Sequence, residues 1–279
     1  MTPIFEVKDL HVDLHAGKLK SKNNNKKAIV SGVSFEVFPG ECLGILGESG
    51  SGKSMTMKAV LGLLDRNFEI SGEAFFMGKD LLKENKESLR RVRGKDITMI
   101  LQNPMTCFDP LYRVGHQMAE TFLAHTSWKA EEINRNSIQI LERMHIRNPE
   151  EVLEKYPHQL SGGMLQRIMI GIALALKPSL LIADEPTTAI DAITQHEILN
   201  EFQKIKEEFH TSMIFITHDL GAISKVADKI IVMNQGKIAD RGDFQYINTQ
   251  AQDPYTKLLV EKRKAVMTKY QAVLYGKGE

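Results

Sequence analysis

Eight consecutive residues have the types and spacing of a loop that binds phosphate groups. The segment from 47 to 54 reads Gly-Glu-Ser-Gly-Ser-Gly-Lys-Ser and matches the pattern G-x-x-x-x-G-K-[ST] in full. Glycines let such a loop curve until successive N–H groups face a phosphate, and a helix beginning near Lys53 adds the positive end of its dipole. Lys53 would neutralise β- and γ-phosphate oxygens, and the Ser54 hydroxyl would ligate Mg²⁺. We therefore expect nucleotide binding by Gly47, Glu48, Ser49, Gly50, Ser51, Gly52, Lys53 and Ser54.

Two adjacent carboxylates follow a short apolar run and could complete such a site. Residues 180–183 read Leu-Leu-Ile-Ala, which is typical of a buried parallel strand, and Asp184 comes at the carboxyl end, where ligands bind in such sheets. We expect Asp184 to ligate Mg²⁺ and Glu185 to orient or deprotonate the attacking water. The alternative, in which either carboxylate caps a helix before Pro186, stays open from the residues alone.

A histidine ends a second apolar run, at 213–217. His218 at the carboxyl end of this predicted strand could reach a γ-phosphate if the strand belongs to the same sheet as the phosphate loop. Taken by itself, such a histidine is more often a residue that caps the following helix. The phosphate loop and the two carboxylates favour the catalytic interpretation.

The segment Leu-Ser-Gly-Gly-Met-Leu-Gln-Arg at 160–167 is a second device for binding phosphate. Ser161, Gly162 and Gly163 would open a helix with bare N–H donors and a hydroxyl at its positive end. One γ-phosphate does not need two such devices from one subunit. The segment therefore indicates a nucleotide that is held mainly by another subunit.

Apolar periodicity predicts the alternating strands and helices of an α/β fold. Strands are expected at residues 4–14, 28–38, 41–46, 72–77, 96–101, 179–183, 213–217 and 229–233. Helices are expected at 54–64, 83–93, 161–176, 192–208 and 219–227, with a helical tail from 253 to 279. Residues 4–14 alternate apolar and polar like a half-exposed edge strand. Apolar residues at helical spacings between 103 and 159 predict a helical segment inserted in the α/β core.

Composition excludes several classes of protein. The 279 residues are 42% hydrophobic and 25% charged, with a net charge of +1, so nothing indicates a nucleic-acid partner. Cys42 and Cys107 form neither a metal-ligand spacing nor a disulfide framework. We expect no transmembrane segment and no secretory signal, so that any work at a membrane requires docking on other chains. The basic run Lys18–Lys27 reads as a solvated loop, with contact to anionic lipid as the alternative.

These motifs occur in the order found in the ATP-binding cassette (ABC) family, which the sequence resembles over essentially its whole length. The resemblance implies a P-loop ATPase core with a mixed sheet, an antiparallel β subdomain and an inserted α-helical subdomain. It also implies that two cassettes enclose two ATP molecules, each between one phosphate loop and the opposing signature, with Mg²⁺. In this arrangement Glu185 is the catalytic base and His218 contacts the γ-phosphate. Gln102 senses Mg²⁺ or the attacking water, Ser161, Gly162, Gly163 and Gln166 contact the partner's ATP, and Asp191 joins the cassettes in a loop that begins at Ala189.

Two positions depart from the family pattern. An aromatic residue usually stacks on adenine, but the matching stretch reads Val-Asp-Leu-His at 12–15, so that Leu14 or His15 would have to substitute. The adenine contact therefore stays open. Ile190 stands where leucine is usual.

The resemblance narrows to the oligopeptide, dipeptide and nickel importer subfamily. It rests on residues 102–110, the Tyr-Pro-His at 156–158, Ala-Asp-Glu-Pro-Thr-Thr at 183–188, and the tail Asp-Pro-Tyr-Thr-Lys-Leu-Leu at 253–259. Residues 108–133 and 164–167 are most similar to nickel or metal-chelate cassettes. The expected domains are an ATP-binding domain at 1–255, with its helical subdomain at about 103–165, and a helical tail at 256–279. The absence of cysteine after Cys107 predicts no iron–sulfur cluster.

The expected function is ATP-driven import of nickel or another metal chelate, with di- or oligopeptides as the alternative cargo. The subfamily implies a second, non-identical cassette rather than a homodimer, two transmembrane permease subunits and an extracytoplasmic solute-binding protein. The chain would then lie on the cytoplasmic face of the membrane as a peripheral protein. A non-transport ABC ATPase is disfavoured because the 108 positions from Lys53 to Ser161 hold neither sustained heptads nor a cysteine module. Glu185 and His218 argue against a purely regulatory nucleotide binder.

Overall fold

The computed structural model describes residues 2–15, 26–188 and 190–274. Most of the basic run Lys18–Lys27, and Ala189, lie outside the described residues. The chain divides into two compact units. The first comprises residues 1–4, 37–41 and 83–215, and the second comprises residues 5–36, 42–82 and 216–279. The domain boundaries drawn from the sequence stay a prediction.

The described chain contains strands and helices in mixed order, with three strands before the first helix and four consecutive α-helices between β6 and β7. The strands are β1 (Phe5–His15), β2 (Lys26–Val37), β3 (Cys42–Leu46), β4 (Phe68–Phe76), β5 (Lys79–Asp80), β6 (Ile97–Ile100), β7 (Leu180–Asp184), β8 (Ser212–Thr217), β9 (Lys229–Asn234) and β10 (Lys237–Gly242). The helices are α1 (Lys53–Val60), α2 (Lys86–Val92), α3 (Val114–His125), α4 (Ala130–Arg143), α5 (Pro149–Leu153), α6 (Gly162–Ala175), α7 (Ala192–Phe209), α8 (Leu220–Val226), α9 (Phe244–Thr249) and α10 (Pro254–Leu274).

In the second unit, β1 lies inside a four-stranded sheet rather than at its edge. The strand order is β2-β1-β4-β5, and β1 pairs antiparallel with β4 from Phe5 opposite Phe76 to Leu14 opposite Phe68. The predicted edge position was therefore wrong. Alternation reports which face of a strand is buried, but it carries no information about partners from a distant part of the chain.

The second unit also contains a mixed sheet around β3. β3 pairs parallel with β9, and β9 pairs antiparallel with β10. Gln235 and Gly236 form the turn between β9 and β10 with φ angles of 47° and 77°, and positive φ at both central positions is typical of tight hairpins. β10 was missed because its six residues are polar or half-buried and show no clear alternation. The short β5 and α9 were missed as well.

In the first unit, the strand order is β8-β7-β6. β6 and β7 pair parallel from Ile97 beside Leu180 to Ile100 beside Ala183, and every residue of β7 is buried. Helices α3, α4 and α5 occupy the segment between 103 and 159, which confirms its predicted helical character. Phe122 anchors their core and lies 4.9 Å from the Trp128 ring, centroid to centroid.

Most predicted elements occur within a few residues of their expected bounds. A clear difference is α1, which ends at Val60 instead of continuing to Leu64. Gly62 adopts a positive φ of 60°, and the Leu63 N–H donates to the Lys58 carbonyl at 2.8 Å. This is the bonding pattern of a glycine stop at a helix C-terminus.

A buried carboxylate links two helices of the first unit. The Glu201 side chain on α7 is 8% exposed and accepts from Arg143 Nε of α4 at 2.5 Å and from Lys204 Nζ at 2.8 Å. Burial opposes the charged form and is the largest single influence on the pKa of Glu201. The hydrogen bonds and charges of Lys204 and Arg143 together outweigh burial, so the pKa lies below its ordinary value.

We predict that Glu201→Gln lowers the free energy of unfolding by about 1 kcal/mol at pH 7, because the partner cations are half-exposed and the pair is partly screened. A depressed carboxyl pKa stabilises the fold above the unfolded value of about 4.3 and loses that contribution as pH falls through the folded value. The difference between native chain and variant should therefore shrink from pH 6 towards pH 3. Urea unfolding at several pH values measures it, with Glu207→Gln on the exposed side of α7 as control. A difference that grows on acidification would contradict the assignment.

Candidate nucleotide site

The phosphate loop connects β3 with α1 in the second unit, and close packing forces it to contain glycine. β3 is buried throughout, and α1 begins at Lys53. A Cβ at Gly47 would lie 2.4 Å from the Met233 carbonyl oxygen, a distance that real Cβ atoms do not show. Gly52 has a φ of 101° and lies against the Ile29 carbonyl, 3.2 Å from where its Cβ would be. The turn between β9 and β10 braces the loop, since the Gly236 N–H donates to the Ser51 carbonyl at 3.0 Å.

Lys53 is a buried cation folded back on this loop. Lys53 is only 4% exposed, and its Nζ donates to the Gly47 carbonyl at 2.7 Å and to the Glu48 carbonyl at 2.9 Å. A third contact joins Nζ to Ser51 Oγ at 3.4 Å. A phosphate at this ammonium would add an ionised acceptor to the ionised donor, and hydrogen bonds between opposite charges are short and strong. The ammonium therefore lies against the loop at the position where the motif predicts contact with phosphate oxygens.

The remaining loop residues are accessible or lie at the start of α1. Glu48, Ser49 and Gly50 are exposed, and Ser54 is half-buried on the first turn of the helix. The loop and the first turn together thus present backbone N–H groups and a hydroxyl, the donors and ligand that the motif predicts.

His218 directly follows β8 and is exposed, also within the second unit. The next helix, α8, is capped by Asp219, whose Oδ1 accepts from the Gly221 N–H at 2.6 Å. Asp219, and not His218, therefore caps α8. Its imidazole is at a strand end and accessible to a ligand.

The two carboxylates at the end of β7 belong to the first unit and are both buried. Asp184 is 1% exposed and Glu185 is 8% exposed. The capping alternative fails here too, because the next helix is α7 and its cap is Asp191. A pair of buried acids at a strand end, with no helix to cap, is the arrangement expected of catalytic or metal-binding groups.

The carboxylate of Glu185 is held by two donors. Gln102 Nε2 and Thr188 Oγ1 each donate to its Oε2 at 3.0 Å. The backbone of Glu185 has a φ of 48°, which is uncommon for a residue other than glycine and is stored strain of the kind found at functional sites. The structure thus brings the predicted Gln102 and Glu185 together, and adds Thr188, which sequence reasoning missed. Its position three residues after Glu185 was the available signal.

The signature residues begin α6, as predicted. Ser161 is the N-cap, and its Oγ accepts from the Met164 N–H at 3.2 Å, which leaves the hydroxyl hydrogen to donate to an anion. Ser161 and Gly162 are exposed, and a Cβ at Gly162 would meet only open space. This 14-residue helix therefore presents an accessible positive end.

Gln166 differs from the other signature residues in its environment. It is fully buried, and its Nε2 donates to the Pro186 carbonyl at 2.9 Å. The expectation that Gln166 contacts a partner's ATP does not agree with this burial. Its side chain instead ties the signature helix to the turn that contains Glu185, since Pro186 follows Glu185 directly.

Asp191 is exposed and caps α7 with two hydrogen bonds. Its Oδ1 accepts from the Thr194 N–H at 3.0 Å and from the Ile193 N–H at 3.2 Å. The backbone hydrogen bond from Thr194 is the main cause that lowers the pKa of Asp191. Ala189, the first residue of the expected dimer loop, lies outside the described residues.

In the structure, the His15 side chain pairs with the carboxylate of Glu69. His15 Nε2 lies 3.1 Å from Glu69 Oε2, and the same oxygen is 2.8 Å from Lys26 Nζ. Leu14 is half-buried beside it. Which of the two contacts adenine stays a prediction.

A model of the ABC transporter family matches residues 30–188, more than half of the chain. The chain belongs to the ABC transporter family. An ABC cassette binds ATP, and membership in this ATPase family implies ATP hydrolysis. The predicted family and fold class are thereby confirmed.

Two curated relatives of the cassette have different cargoes in their names. The metal-staphylopine import system ATP-binding protein CntD of Staphylococcus aureus is 44% identical over 248 residues, which cover 89% of this chain and 92% of the relative. The dipeptide transport ATP-binding protein DppD of Lactococcus lactis is 42% identical over 268 residues, covering 94% and 74% respectively. Among solved structures, a dimeric ATP-binding cassette bound to ADP and Pi matches with a TM-score of 0.76 at 23% identity, over 86% of this chain and 98% of that one, which shows the shared fold.

Within the described part of this ABC cassette, no helix is long and apolar enough to cross a membrane.

We predict that Glu185→Gln lowers ATP hydrolysis by 100-fold or more, since an amide cannot take a proton from water and general-base catalysis contributes about 10²–10⁴-fold. ATP affinity should stay within about twofold, because the phosphate loop is unchanged. Phosphate release by the assembled transporter and binding of a fluorescent ATP analogue measure the two effects. Thr188→Val is the matched variant: it keeps the carboxylate, loses one hydrogen bond, and should cost about fivefold in rate. Retention of a tenth of the native rate in Glu185→Gln would show that another group is the base.

Proposed function

We propose that this ABC cassette is the ATP-hydrolysing subunit of a membrane importer for nickel or another metal chelate. The observation that carries the proposal is the 44% identity to a metal-staphylopine import protein over 92% of that relative's length. The resemblance of residues 108–133 and 164–167 to nickel and metal-chelate cassettes points the same way. The metal is cargo, carried by the membrane subunits, and the cassette supplies only the free energy of ATP.

Peptide import is the second candidate. The dipeptide transport protein of Lactococcus lactis is 42% identical, nearly as similar as the metal-staphylopine relative, but its match extends over only 74% of its length. A cassette does not need to touch the solute, so the residues of the nucleotide site are compatible with either cargo.

The residues present fit ATP and Mg²⁺. The buried ammonium of Lys53 and the crowded backbone at Gly47 leave the loop suited to a phosphate. Ser54, Asp184 and Gln102 offer hydroxyl, carboxylate and amide oxygens, the hard donors that Mg²⁺ prefers. We assign Mg²⁺ binding to these three side chains; the ion would offset negative charge on the phosphates.

The proposed cycle gives each of these groups a role. Phosphate groups bind at residues 47–54 through N–H donors and Lys53, and His218 contacts the γ-phosphate. Glu185, oriented by Gln102 and Thr188, accepts a proton from the attacking water. Ser161, Gly162 and Gly163 face the ATP of a second cassette, with Gln166 behind them as a positioning residue.

Coupling to the membrane subunits is assigned to the segment Gln102–Gln117. Three large side chains here are exposed to solvent although they are apolar or aromatic: Leu111 at 78%, Tyr112 at 51% and Met105 at 50%. Clustered exposed apolar groups mark surfaces that other proteins cover. We infer that this segment makes the coupling contacts with the importer's membrane part, which consists of two permease subunits and works with an extracytoplasmic solute-binding protein. The cassette would then lie at the cytoplasmic face of the membrane.

The second cassette is proposed to be a different chain, as is usual in this subfamily. Asp191 and the adjacent Ile193, which is 76% exposed, would lie in the contact between cassettes. A non-transport ABC ATPase and a regulatory binder that does not hydrolyse ATP stay as remote alternatives. Both would show no solute uptake dependent on Lys53.

We predict that Lys53→Ala abolishes nickel uptake, because loss of the buried ammonium removes phosphate binding and with it the energy source. Cells that carry the variant should take up labelled nickel at least about tenfold more slowly, while labelled dipeptide uptake should be unchanged. Lys58→Ala, on the last turn of the same helix, is the matched control and should transport normally.

Each other outcome of the uptake measurement is informative. A fall in peptide uptake alone would overturn the metal cargo and leave the importer assignment intact. If neither uptake responds to Lys53→Ala, either the solute is a third one or another cassette stands in for this chain.

We predict that the Glu185→Gln chain, purified alone with ATP, stays monomeric by light scattering and dimerises only when the second cassette is added. The variant traps ATP, so a nucleotide-bound pair should persist once formed. Lys53→Ala combined with Glu185→Gln is the control that should not pair under either condition. A dimer of this chain alone would contradict the hetero-dimer and favour a homodimer.

A further inference from the structure

The C-terminal helix α10 packs against the elements that carry the phosphate loop. Asp253 begins the helix by accepting from the Tyr255 N–H at 2.9 Å. Tyr255, Leu259 and Val260 then contact a buried cluster that includes Leu46, the residue directly before the loop. The motif Asp-Pro-Tyr-Thr-Lys-Leu-Leu at 253–259, which the nucleotide chemistry leaves without a role, therefore forms part of the support of the loop.

Tyr255 makes a direct hydrogen bond to the loop. The backbone N–H of Glu48, the second residue of the loop, donates to the Tyr255 hydroxyl oxygen at 2.8 Å. Burial raises the pKa of Tyr255, so the hydroxyl is neutral throughout the physiological range. This bond restrains the first half of the loop, where Glu48 and the two residues after it are otherwise exposed.

Lys262, two turns further along α10, contacts the same loop residue. Its Nζ lies 2.9 Å from Glu48 Oε1, and both side chains are more than half exposed, at 57% and 54%. An exposed pair of this kind stabilises little by itself and is weakened by salt. Its effect is instead local, because it places a cation beside a carboxylate on a loop that has to receive a highly negative triphosphate.

The same helix also contacts the segment that follows His218. Leu220 belongs to the cluster on which α10 packs. A Cβ added at Gly221 would meet Arg263 Nη2 at 3.1 Å, so the guanidinium lies against the first turn of α8. Both the phosphate loop and the segment after His218 thus contact α10 within the second unit.

We propose that Tyr255 and Lys262 are positioning residues for ATP binding, which hold Glu48 and thereby set the conformation of the phosphate loop. The proposal rests on ATP binding at residues 47–54 and does not depend on the cargo. The residues act through the loop and not on the reacting atoms. Their loss should consequently change nucleotide affinity more than the rate of hydrolysis at saturation.

The decisive variants are Tyr255→Phe, which removes one hydroxyl from an unchanged ring, and Lys262→Met. Tyr255→Phe should weaken ATP binding about fivefold, the effect of one lost hydrogen bond, with kcat within twofold. Lys262→Met should weaken it about twofold at low salt and not measurably at about 0.5 M salt. Binding of a fluorescent ATP analogue and steady-state hydrolysis by the assembled transporter provide both numbers.

Two matched controls separate this role from packing of the helix. Tyr246→Phe removes a hydroxyl that bonds Asp240 from a ring packed on the same cluster, and Lys264→Met removes a lysine of α10 that donates to the Asn248 carbonyl. Both controls should bind ATP like the native chain. Hydrogen exchange supplies an independent readout, because the Glu48 amide should exchange faster in Tyr255→Phe, whereas the melting temperature should be nearly unchanged.

The outcomes distinguish this inference from the nucleotide site itself. If the native chain binds no ATP, the assignment of the loop fails. If it binds ATP but Tyr255→Phe binds equally well with the same Glu48 exchange, the positioning role is wrong. A fall in kcat without a change in affinity would also overturn it.

Discussion

Backbone crowding at Gly47 is the constraint on which the nucleotide site depends. A Cβ at Gly47 would lie 2.4 Å from the Met233 carbonyl oxygen, and the Gly236 N–H of the same β9–β10 hairpin donates to the Ser51 carbonyl. These contacts hold the loop against the hairpin, and Lys53 donates to the loop's own carbonyls at Gly47 and Glu48. A preformed arrangement of this kind lowers the entropy that has to be lost when a phosphate binds.

The turn at Glu185 combines a strained backbone with hydrogen bonds to the Glu185 carboxylate. Glu185 adopts a positive φ directly after a fully buried strand, and two donors hold one of its oxygens. Gln166 connects the signature helix to the next residue, Pro186, through a buried hydrogen bond. A displacement of the signature helix would therefore be transmitted through this hydrogen bond to the turn that contains Glu185.

The helix α10 contacts the phosphate loop and the elements beside it within the second unit. α10 supports the strand that precedes the phosphate loop and the helix that follows His218, and Tyr255 and Lys262 both contact Glu48. Family motifs indicate chemistry because they recur at fixed spacing, whereas a supporting contact of this kind is visible only once distant segments are packed together.

The sequence by itself determined the family, the phosphate loop, the acids at 184 and 185, the signature and most strands and helices. It could do so because these features depend on local spacing, apolar periodicity and capping. Only the tertiary structure decided that β1 lies inside its sheet, that Thr188 and Gln102 share one oxygen of Glu185, that Gln166 is buried and that Tyr255 reaches Glu48. Each of these contacts needs a backbone conformation or a long-range pairing that no local pattern specifies: β4 is remote from β1 in sequence, and the strained turn at Glu185 is stable only within its packed surroundings.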